Sequence, residues 1–519
     1  MKKHFDIAPR VFYPSLVIIL CFVFVAILGG DAVKAIFAQL SQTTTQSTGW
    51  LFILGVNIFI VFSLWIAFGK YGKFRLGGPK ARPDFTLFSW FSMLFSAGMG
   101  IGLLYFSVSE PIEHFSKPPM AQDTPADLAI QALDFTFLHY GLHAWAIYCV
   151  VGLSLAYFTF NKHLPLSLRS VFFPFMGRKI NSLYGEIIDV IAVVATLFGL
   201  ATSLGFGARQ IASGLNFLTG VSSGITTQIV IIAVITMIAT VSVITGLKKG
   251  VRFLSRLNMV VALLFLLFVF FITGPNAAFR TFVESTGMYF HRFLEIGTWS
   301  SAFQSSDWQN NWSVFYWAWW IAWSPFVGMF IARISKGRTI KEFVLGVLLV
   351  PTLMTFFWIS VFGGAALALE LANPGSISTP VLEDSATSLF IFLKQFPLSS
   401  ITSIIGIFMV SVFFVTSSDS GSLVIDSITS GGKLNAPVGQ RILWAQIEGF
   451  VAIALLLGGG LTAMQTASVS TGILFLLVLF LMCFSLRKSL NRDLEKKQKK
   501  RELKLAMKRG EITLPANNK

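Results

Sequence analysis

Long uninterrupted apolar segments recur along this chain and constrain its fold more than any other feature. A helix needs about 20 mainly apolar residues to cross the hydrocarbon core of a bilayer. Segments of that kind lie near residues 12–30, 50–68, 86–109, 135–159, 184–213, 226–247, 257–274, 312–335, 343–369, 399–428, 440–461 and 468–486. Only 12% of the 519 residues are charged, about half the share in a soluble globular protein. The sequence therefore predicts an all-α polytopic membrane protein with twelve transmembrane helices.

The placement of charge predicts how the chain crosses the membrane. The net charge is +16, and basic residues gather in alternate loops, for example Lys70, Lys73 and Arg75 between the second and third segments. The intervening loops are acidic or nearly uncharged. Because loops rich in Lys and Arg remain in the cytoplasm, we expect a multi-pass protein of the bacterial inner (cytoplasmic) membrane with both termini cytoplasmic. The alternation also argues against nucleic acid as a partner.

The basic stretch after the last segment, residues 487–519, has two interpretations. Its cluster consists of Lys496, Lys497, Lys499, Lys500, Arg501, Lys504, Lys508 and Arg509. Anionic lipid headgroups attract such a cluster with about 1 kcal/mol per charge, which predicts a lipid-binding tail. The alternative is a solvated anchor that only maintains the topology.

The eighth segment, residues 312–335, is unusually rich in tryptophan. Trp317, Trp320 and Trp323 are spaced by three residues and share one helix face. Aromatic faces attract alkylated cations, and the indoles extend away from the segment end, where an interfacial belt would lie. Pro325 removes a backbone donor. The sequence predicts a binding site here and a helix that kinks or opens near Pro325.

The third segment carries a second signal for interrupted backbone. Gly98, Gly100 and Gly102 alternate in mid-segment, and each glycine costs up to about 1 kcal/mol in a helix relative to alanine. An unwound segment is the prediction; a face of small residues for helix packing is the alternative.

The two predicted interruptions lie five segments apart, which predicts an inverted repeat. Broken helices at matching positions of two repeats mark the site of a secondary transporter. The predicted organisation is a cytoplasmic N-terminus (1–11), two accessory transmembrane helices (12–68), a first five-helix repeat (86–274), an outer, periplasmic interfacial helix (275–311), a second inverted repeat (312–486) and the cytoplasmic tail (487–519).

Three motifs carry a resemblance to a known family. They are GMGIG at 98–102, HYGLHAWAIY at 139–148 and WAWWIAWSPFVGMFIARISKGRT at 317–339. With them the chain resembles the betaine/choline/carnitine transporter (BCCT) family over nearly its whole length. The resemblance implies a LeuT-like fold with two inverted five-helix repeats, a homotrimer, and transport, not catalysis, of trimethylammonium compatible solutes, commonly by sodium symport.

The same resemblance implies a set of substrate residues. The aromatic box falls on Tyr140, Trp145, Tyr148 and Trp320, and the transport pathway on Trp319, Trp323, Phe326 and Phe330. Backbone amides of the glycine segment, at Gly98, Met99, Gly100 and Gly102, are expected to meet a substrate carboxylate, with help from Ser203.

Sodium is the expected coupling ion, with a proton as the alternative. The resemblance places one sodium site at the hydroxyls of Thr416 and Ser417 and the carbonyls of Ser96, Met99 and Phe413. Hydroxyls that cap helical carbonyls are the alternative interpretation. A second site maps to Thr196, Leu200 and Phe326, and we expect it to be damaged or absent, because leucine cannot ligate sodium.

The resemblance ranks the substrates. Some choline carriers of the family have aspartate where this chain has Gly102, which favours glycine betaine with sodium. Leu200 and Tyr140 resemble certain proton-coupled choline carriers, so choline with sodium or protons is the second hypothesis. A substrate-gated channel or sensor on the same scaffold is the alternative from another class.

Two further features receive a structural interpretation. His139 and His143 have the spacing of a helical metal pair, but no third ligand is visible, and we expect them to pack or hydrogen-bond. The pair Glu110-Pro111 predicts a helix end with a structural acid.

Overall fold

The computed structural model describes residues 5–98, 100–245, 250–303, 307–433 and 437–509. The protein is all-α, as predicted, and the described residues contain one isolated bridge, between Arg75 and Thr339. The helices are α1 (Pro9–Leu28), α2 (Gly30–Phe68), α3 (Leu87–Gly98), α4 (Ile101–Ser116), α5 (Pro125–Tyr140), α6 (Leu142–Lys162), α7 (Phe173–Met176), α8 (Leu183–Thr219), α9 (Ile225–Thr245), α10 (Gly250–Thr273), α11 (Pro275–His291), α12 (Phe293–Thr298), α13 (Phe315–Ile334), α14 (Ile340–Ala372), α15 (Ser378–Glu383), α16 (Ser388–Lys394), α17 (Ser399–Thr429), α18 (Val438–Gly459) and α19 (Leu461–Lys508).

Many of these helices are long enough to span a membrane. Within the described part of the chain, 11 helical segments are long and apolar enough to cross a membrane, counting α5 and α6 as one. The predicted third segment is divided between α3 and α4, which are 12 and 16 residues long. The protein is thus a multi-pass membrane protein. The number twelve, the inverted repeats and the predicted domain bounds stay predictions.

The interruption predicted at the glycine segment is confirmed. Helix α3 ends at Gly98 and α4 begins at Ile101. Gly100 has extended backbone, with φ −157° and ψ −176°. Met99 lies outside the described residues. Closely spaced glycines make helical backbone costly here, and the chain opens at this point.

The opening predicted near Pro325 is wrong, because α13 continues through it to Ile334; a kink there stays a prediction. A proline inside a helix leaves the carbonyl four residues earlier without its N–H partner. That carbonyl belongs to Ile321, and it accepts a hydrogen bond from the Ser324 hydroxyl at 2.7 Å. Serine hydroxyls are one of the means by which transmembrane helices accommodate proline. Ahead of α13, Asn310–Val314 form a π-helical turn.

A different interruption, at Gly141, separates α5 from α6. Gly141 has φ −92° and ψ −143°, outside the helical region. A Cβ atom there would lie 2.4 Å from the Phe137 carbonyl oxygen and 3.0 Å from the Phe356 ring. The Phe356 ring also stacks on Phe137, with centroids 3.9 Å apart. The missing side chain therefore lets α14 pack directly onto the break.

The helix end predicted at Glu110-Pro111 is also wrong. Helix α4 passes through Pro111 and ends at Ser116. The carbonyl left without an N–H partner is that of Ser107, and Gly363 of α14 lies against it. A Cβ on Gly363 would approach the Ser107 oxygen to 2.8 Å and the Pro111 ring to 2.7 Å. Because Gly363 has no side chain, α14 can pack closely against Pro111 and the Ser107 carbonyl.

The predicted interfacial stretch after the seventh apolar segment forms α11 and α12. Val283 and Leu294 expose 68% and 72% of their surface, while Arg292 reaches inward to the buried Asp134 of α5 at 3.4 Å. An ion pair thus holds these helices to the bundle and leaves apolar side chains outside, which fits a position at the membrane surface.

The last helix, α19, extends far into the predicted tail. It runs to Lys508, and residues 510–519 lie outside the described part. Asp493 accepts from the Tyr157 hydroxyl at 2.6 Å and pairs with Lys162, both on α6. These contacts attach the start of the tail to the bundle, so that its basic cluster is presented on a helix.

We predict that Ser324→Ala destabilises the protein. The substitution leaves the buried Ile321 carbonyl without the hydroxyl donor, which costs about 1–3 kcal/mol. Thermal unfolding of the purified protein in detergent measures the loss. Ser360→Ala is the matched control: its buried hydroxyl donates to the Phe356 carbonyl at 2.7 Å, which a normal helical N–H also serves, so the effect is expected to be smaller. Equal effects would contradict the role assigned to Ser324.

Candidate functional site

A central chamber lies where the start of α4 meets α13, α8 and the α5–α6 break. Its lining consists of Gly100, Gly102, Leu103, Tyr140, Ala144, Trp145, Tyr148, Ser203, Trp319, Trp320, Trp323 and Thr355. The chamber measures about 30 Å³, room for about two waters. No charged side chain is among its described lining residues. A larger solute can enter only if aromatic side chains move.

The four residues of the predicted aromatic box come together in this chamber. The Trp320 ring centroid lies 5.7 Å from that of Tyr140 and 6.4 Å from that of Tyr148, and Trp145 lies 5.5 Å from Tyr148. Each of these pairs is edge-to-face. Aromatic faces turned toward a shared space offer the negative quadrupole that attracts a methylated cation.

Hydrogen bonds from two indoles hold this wall to other helices. Trp320 Nε1 donates to the His139 carbonyl at 2.8 Å, near the end of α5. Trp319 Nε1 donates to Ser203 Oγ at 3.2 Å and to the Gly199 carbonyl at 3.3 Å on α8. The break at Gly141 leaves the His139 carbonyl available, because the helix that would normally occupy it has ended.

Trp319 and Trp317 occupy positions that differ from the sequence interpretation. Trp319, expected along the pathway, lines the chamber and stacks on Trp320 with centroids 4.7 Å apart. Trp317, expected on the face of Trp320 and Trp323, packs near His143, 5.6 Å between ring centroids. The tryptophans of α13 that line the chamber are therefore Trp319, Trp320 and Trp323.

The glycine segment forms one edge of the chamber. Gly100 and Gly102 line it, while Gly98 is the last residue of α3. The Tyr140 hydroxyl donates to the Gly102 carbonyl at 3.0 Å. A Cβ on Gly102 would lie 3.0 Å from Trp319 Cη2, whereas a Cβ on Gly100 would meet no atom within 4 Å. The first N–H groups of α4 point out of its N-terminus with positive partial charge.

Two further cavities lie on either side of the chamber. The first, the Glu113 cavity, measures about 600 Å³ and is lined by Tyr105, Phe106, Glu113, Lys117, Pro118, Phe206, Trp308, Asn311, Trp312, Phe315, Ser385, Leu461 and Gln465. The second, the Phe330 cavity, measures about 150 Å³ and is lined by Ser96, Asn258, Met259, Trp323, Phe326, Val327, Phe330, Phe413, Thr416, Ser417 and Ser420. Along α13 the three cavities follow one another in order.

Aromatic rings separate the three cavities. Phe106 and Phe206, which line the Glu113 cavity, pack 6.2 and 5.3 Å from the ring of Trp319 in the chamber wall. Trp323 lines both the chamber and the Phe330 cavity, and a Cβ on Gly199 would lie 2.8 Å from it. The three cavities thus follow one another along α13 with aromatic side chains between them.

The residues expected to hold sodium meet in the Phe330 cavity. Ser96, Phe413, Thr416 and Ser417 line it together; the fifth, Met99, lies outside the described residues. The Thr416 hydroxyl donates to the carbonyls of Val412 and Phe413 at 2.9 and 3.2 Å, which leaves its oxygen lone pairs free to accept a cation. Hydroxyl and carbonyl oxygens are the donor set that a hard cation requires.

The second sodium position has different surroundings. Thr196 is fully buried, and its hydroxyl donates to the Ala192 carbonyl of its own helix at 2.7 Å. The Leu200 side chain packs on Gly421 of α17, 2.3 Å from where a Cβ would be. Phe326 lines the Phe330 cavity instead. The apolar side chain of Leu200 therefore occupies the position expected for a hydroxyl ligand.

Several parts of the site had no clear signal in the sequence. Leu103, Ala144 and Thr355 line the chamber but belong to ordinary apolar helical patterns. Gly141 is a single glycine in a long apolar segment, which by itself is tolerated in a helix. Glu110 was interpreted as a helix stop, yet it is fully buried and bonded to Tyr316 and His139.

These features define a multi-pass membrane transporter with a central chamber. Residues 10–495 match the BCCT family, described as betaine/carnitine/choline family transporter, and the chain belongs to this family of transporters. A glycine betaine/proline/choline/ectoine transporter of Vibrio parahaemolyticus is 45% identical over 501 residues, 95% of this chain and 89% of that protein. Glycine betaine transporter 1 of the same organism is 46% identical over 502 residues, 95% of each chain. A glycine betaine transporter of Acinetobacter baylyi is 42% identical over 95% of this chain and 74% of that protein.

We predict that Gly102→Ala weakens binding of tetramethylammonium by at least about tenfold, whereas Gly100→Ala changes it by less than about twofold. The added methyl at 102 meets Trp319 and pushes it into the chamber, at a typical overpacking cost of about 1–3 kcal/mol; the methyl at 100 meets open space. Tryptophan fluorescence titration of the purified protein measures both. Equal affinities for the two variants would show that the ring of Trp319 does not limit the chamber.

Proposed function

We propose that this protein imports glycine betaine by sodium symport, with the central chamber exposed alternately to the two sides of the membrane. The observation that carries the proposal is a chamber walled by Tyr140, Trp145, Tyr148 and Trp320 and bordered by the N-terminus of α4. Two of the three relatives named above are glycine betaine transporters, and the third includes glycine betaine among its substrates.

The two ends of glycine betaine match two different walls. Its trimethylammonium group is a bulky cation without N–H donors. Aromatic faces attract such a cation without the cost of removing a carboxylate from water. Its carboxylate is an anion for which the free N–H groups at the start of α4 are suited. Gly100 leaves open space next to those N–H groups, and Ser203 is a further donor on the wall.

In this proposal, the aromatic rings that separate the cavities act as the gates for alternating access. The chamber as it stands is smaller than the solute, so transport requires rotation of Trp319 on one side or Trp323 on the other. Opening toward the Glu113 cavity involves Phe106 and Phe206, and opening toward the Phe330 cavity involves Phe326. Such closures sequester the solute from each side in turn.

Sodium coupling is proposed at one site, formed by Ser96, Phe413, Thr416, Ser417 and Met99. The polar oxygens in the Phe330 cavity support it. Phe413 lies on α17 and Ser96 near the end of α3, so a cation between them connects the two helices and biases their separation. Since Leu200 occupies the second position with apolar atoms, we propose that the Thr196–Phe326 site binds no sodium.

Choline, driven by sodium or protons, is the second candidate substrate. Leu200 and Tyr140 favour it, because these two positions resemble those of certain proton-coupled choline carriers. The absence of a carboxylate from the described chamber lining favours the zwitterion glycine betaine. A substrate-gated channel is separated from a carrier by accumulation: only a carrier concentrates labelled glycine betaine in proteoliposomes above its external level under a sodium gradient.

The cellular setting is proposed on the charge pattern and the family. The protein is placed in the bacterial cytoplasmic membrane with both termini inside, as a homotrimer. The basic cluster on the end of α19 is proposed to contact anionic lipid headgroups.

We predict that Trp320→Ala abolishes sodium-driven uptake of glycine betaine into proteoliposomes. The substitution removes a ring that faces both Tyr140 and Tyr148 and also releases the His139 carbonyl. Cation–π contacts contribute about 2 kcal/mol when desolvated, which alone corresponds to more than tenfold in affinity. Trp50→Ala, at an exposed tryptophan of α2, is the control and should transport normally. Unchanged kinetics of Trp320→Ala would refute the aromatic box.

We predict that the double variant Thr416→Ala, Ser417→Ala needs at least about tenfold more sodium for half-maximal uptake, because two oxygen ligands are lost. Uptake at varied sodium concentration measures this. Ser411→Ala on the same helix is the control: its hydroxyl donates to the Ile407 carbonyl at 2.8 Å, and it is not among the residues lining the Phe330 cavity. A double variant with the sodium dependence of the unaltered protein would exclude this ion site.

A further inference from the structure

A buried cluster of ionisable groups lies beside the central chamber. Glu110 Oε1 is 2.6 Å from His139 Nδ1 and 3.2 Å from His114 Nε2. Its other oxygen, Oε2, accepts a hydrogen bond from the Tyr316 hydroxyl. The side chains of Glu110, His114 and His139 are all fully buried. None of the ion pairs among the described residues joins Glu110 to a lysine or an arginine.

The contact distances indicate protons between these groups. Ligand atoms of Glu110, His114 and His139 lie within 4.8 Å of one another, a spacing that also suits a metal ion. However, 2.6 Å between Oε1 and Nδ1 is the length of a charge-assisted hydrogen bond, and it is shorter than the separation of about 3.4 Å between two ligands of a tetrahedral ion bound at about 2.1 Å.

The hydrogen bonds allow two charge states. When both histidines are neutral, each donates one N–H to Oε1, Tyr316 donates to Oε2, and the cluster carries one negative charge. One more proton makes it neutral. His139 can accept this proton because its Nε2 lies 2.9 Å from Ser313 Oγ, which then changes from donor to acceptor. His114 is less suited, since its buried Nδ1 has no hydrogen-bond partner among the described residues.

Other charged groups around the cluster are either engaged or face a cavity. They are Glu113 and Lys117 at the end of α4, Asp134 on α5, His143 on α6, Arg209 on α8 and Asp384 before α16. Arg209 pairs with Asp384 at 2.7 Å, and Asp134 pairs with Arg292 at 3.4 Å. Glu113 and Lys117 line the Glu113 cavity. None of them supplies a fixed positive charge in contact with Glu110.

Short contacts connect the cluster to the central chamber and to the Glu113 cavity. Tyr316, bonded to Glu110, lies 3.1 Å from the hydroxyl of Tyr140, which lines the chamber. The main-chain carbonyl of His139 holds Trp320. On the other side, the His114 ring packs against Trp308 and Trp312, with centroids 4.8 and 4.5 Å apart, and both indoles line the Glu113 cavity.

We propose that Glu110 and His139 form a proton-binding site linked to solute binding in the chamber. A trimethylammonium group among Tyr140 and Trp320 adds a positive charge beside the cluster and favours its anionic state. Before binding, His139 is protonated and Glu110 is anionic. When the solute binds, His139 releases one proton and becomes neutral, and Glu110 remains anionic. By reciprocity of linked equilibria, solute binding tightens as pH rises. This inference rests on the proposed function in that the chamber must bind a methylated cation.

Calorimetric titration of the full-length protein with glycine betaine, and separately with choline, tests the linkage at constant sodium. At one pH, buffers with different ionisation enthalpies reveal any proton released. We expect release of up to one proton per solute and, between about pH 5 and pH 8, a Kd that falls with rising pH by at most tenfold per pH unit. The result that overturns the proposal is a wild-type protein that binds solute with heats independent of the buffer throughout this range.

Three variants assign the proton. Glu110→Gln removes the carboxylate that stabilises protonated His139, and we expect solute binding without proton release and without pH dependence. Glu110→Asp retains a carboxyl and retains the release. His143→Gln is the matched control, because this buried histidine contacts Asn57 at 3.3 Å and not Glu110; it should behave as the wild type. Proton release that persists in Glu110→Gln would overturn the assignment.

The possible failures are distinguishable. If neither solute binds to the wild-type protein, the proposed function fails and this inference fails with it. If solute binds without proton exchange, only the inference fails. If Glu110→Gln does not fold, the buffer series on the wild-type protein and on Glu110→Asp tests the proposal instead. A folded Glu110→Asp protein that binds solute without releasing a proton contradicts the proposal.

Discussion

The chamber depends on indole N–H groups of α13 that bond to carbonyls on other helices. Away from water an indole N–H can be satisfied only by an acceptor within the protein, and most helical carbonyls are already occupied by backbone N–H groups. Among the described residues the buried Trp323 Nε1 has no such partner. The break at Gly141 provides such an acceptor at His139, and Trp320 uses it. Trp319 instead shares the Gly199 carbonyl and the Ser203 hydroxyl. These bonds hold the two rings, which stack on each other, in the lining of the chamber.

An unbroken α13 suits this role better than a broken one. Trp319, Trp320 and Trp323 belong to one continuous helix, and their spacing is set by its geometry. Non-helical backbone lies instead in the neighbours, at Gly100 and Gly141, where backbone groups become available for a solute or for an indole. The hydroxyl of Ser324 donates to the Ile321 carbonyl, and Pro325 remains within the helix.

The sequence predicted the helical class, the opening near Gly100 and the residues of the aromatic box, because each has a local signature: apolar length, closely spaced glycines and a long motif. It failed where the outcome depends on a side-chain contact that the residue pattern does not reveal. Pro325 was expected to kink or open the helix, but the helix is continuous, and the Ser324 hydroxyl donates to the Ile321 carbonyl that the proline leaves without its N–H partner. Gly141 alone carries little information until Phe356 is seen packed on it. Glu110 acquires its network only when α4, α5 and α13 pack together, 29 and 206 residues apart along the chain.

The central claim is that aromatic faces select the positive charge of the solute rather than its shape. Glycine betaine and 3,3-dimethylbutanoate have the same outline, but the second carries carbon in place of the quaternary nitrogen. Competition of each against labelled glycine betaine for the purified protein compares them directly. The account predicts that 3,3-dimethylbutanoate binds at least about tenfold more weakly, as expected for a desolvated cation–π contribution of about 2 kcal/mol. Equal affinity of the two compounds would contradict it.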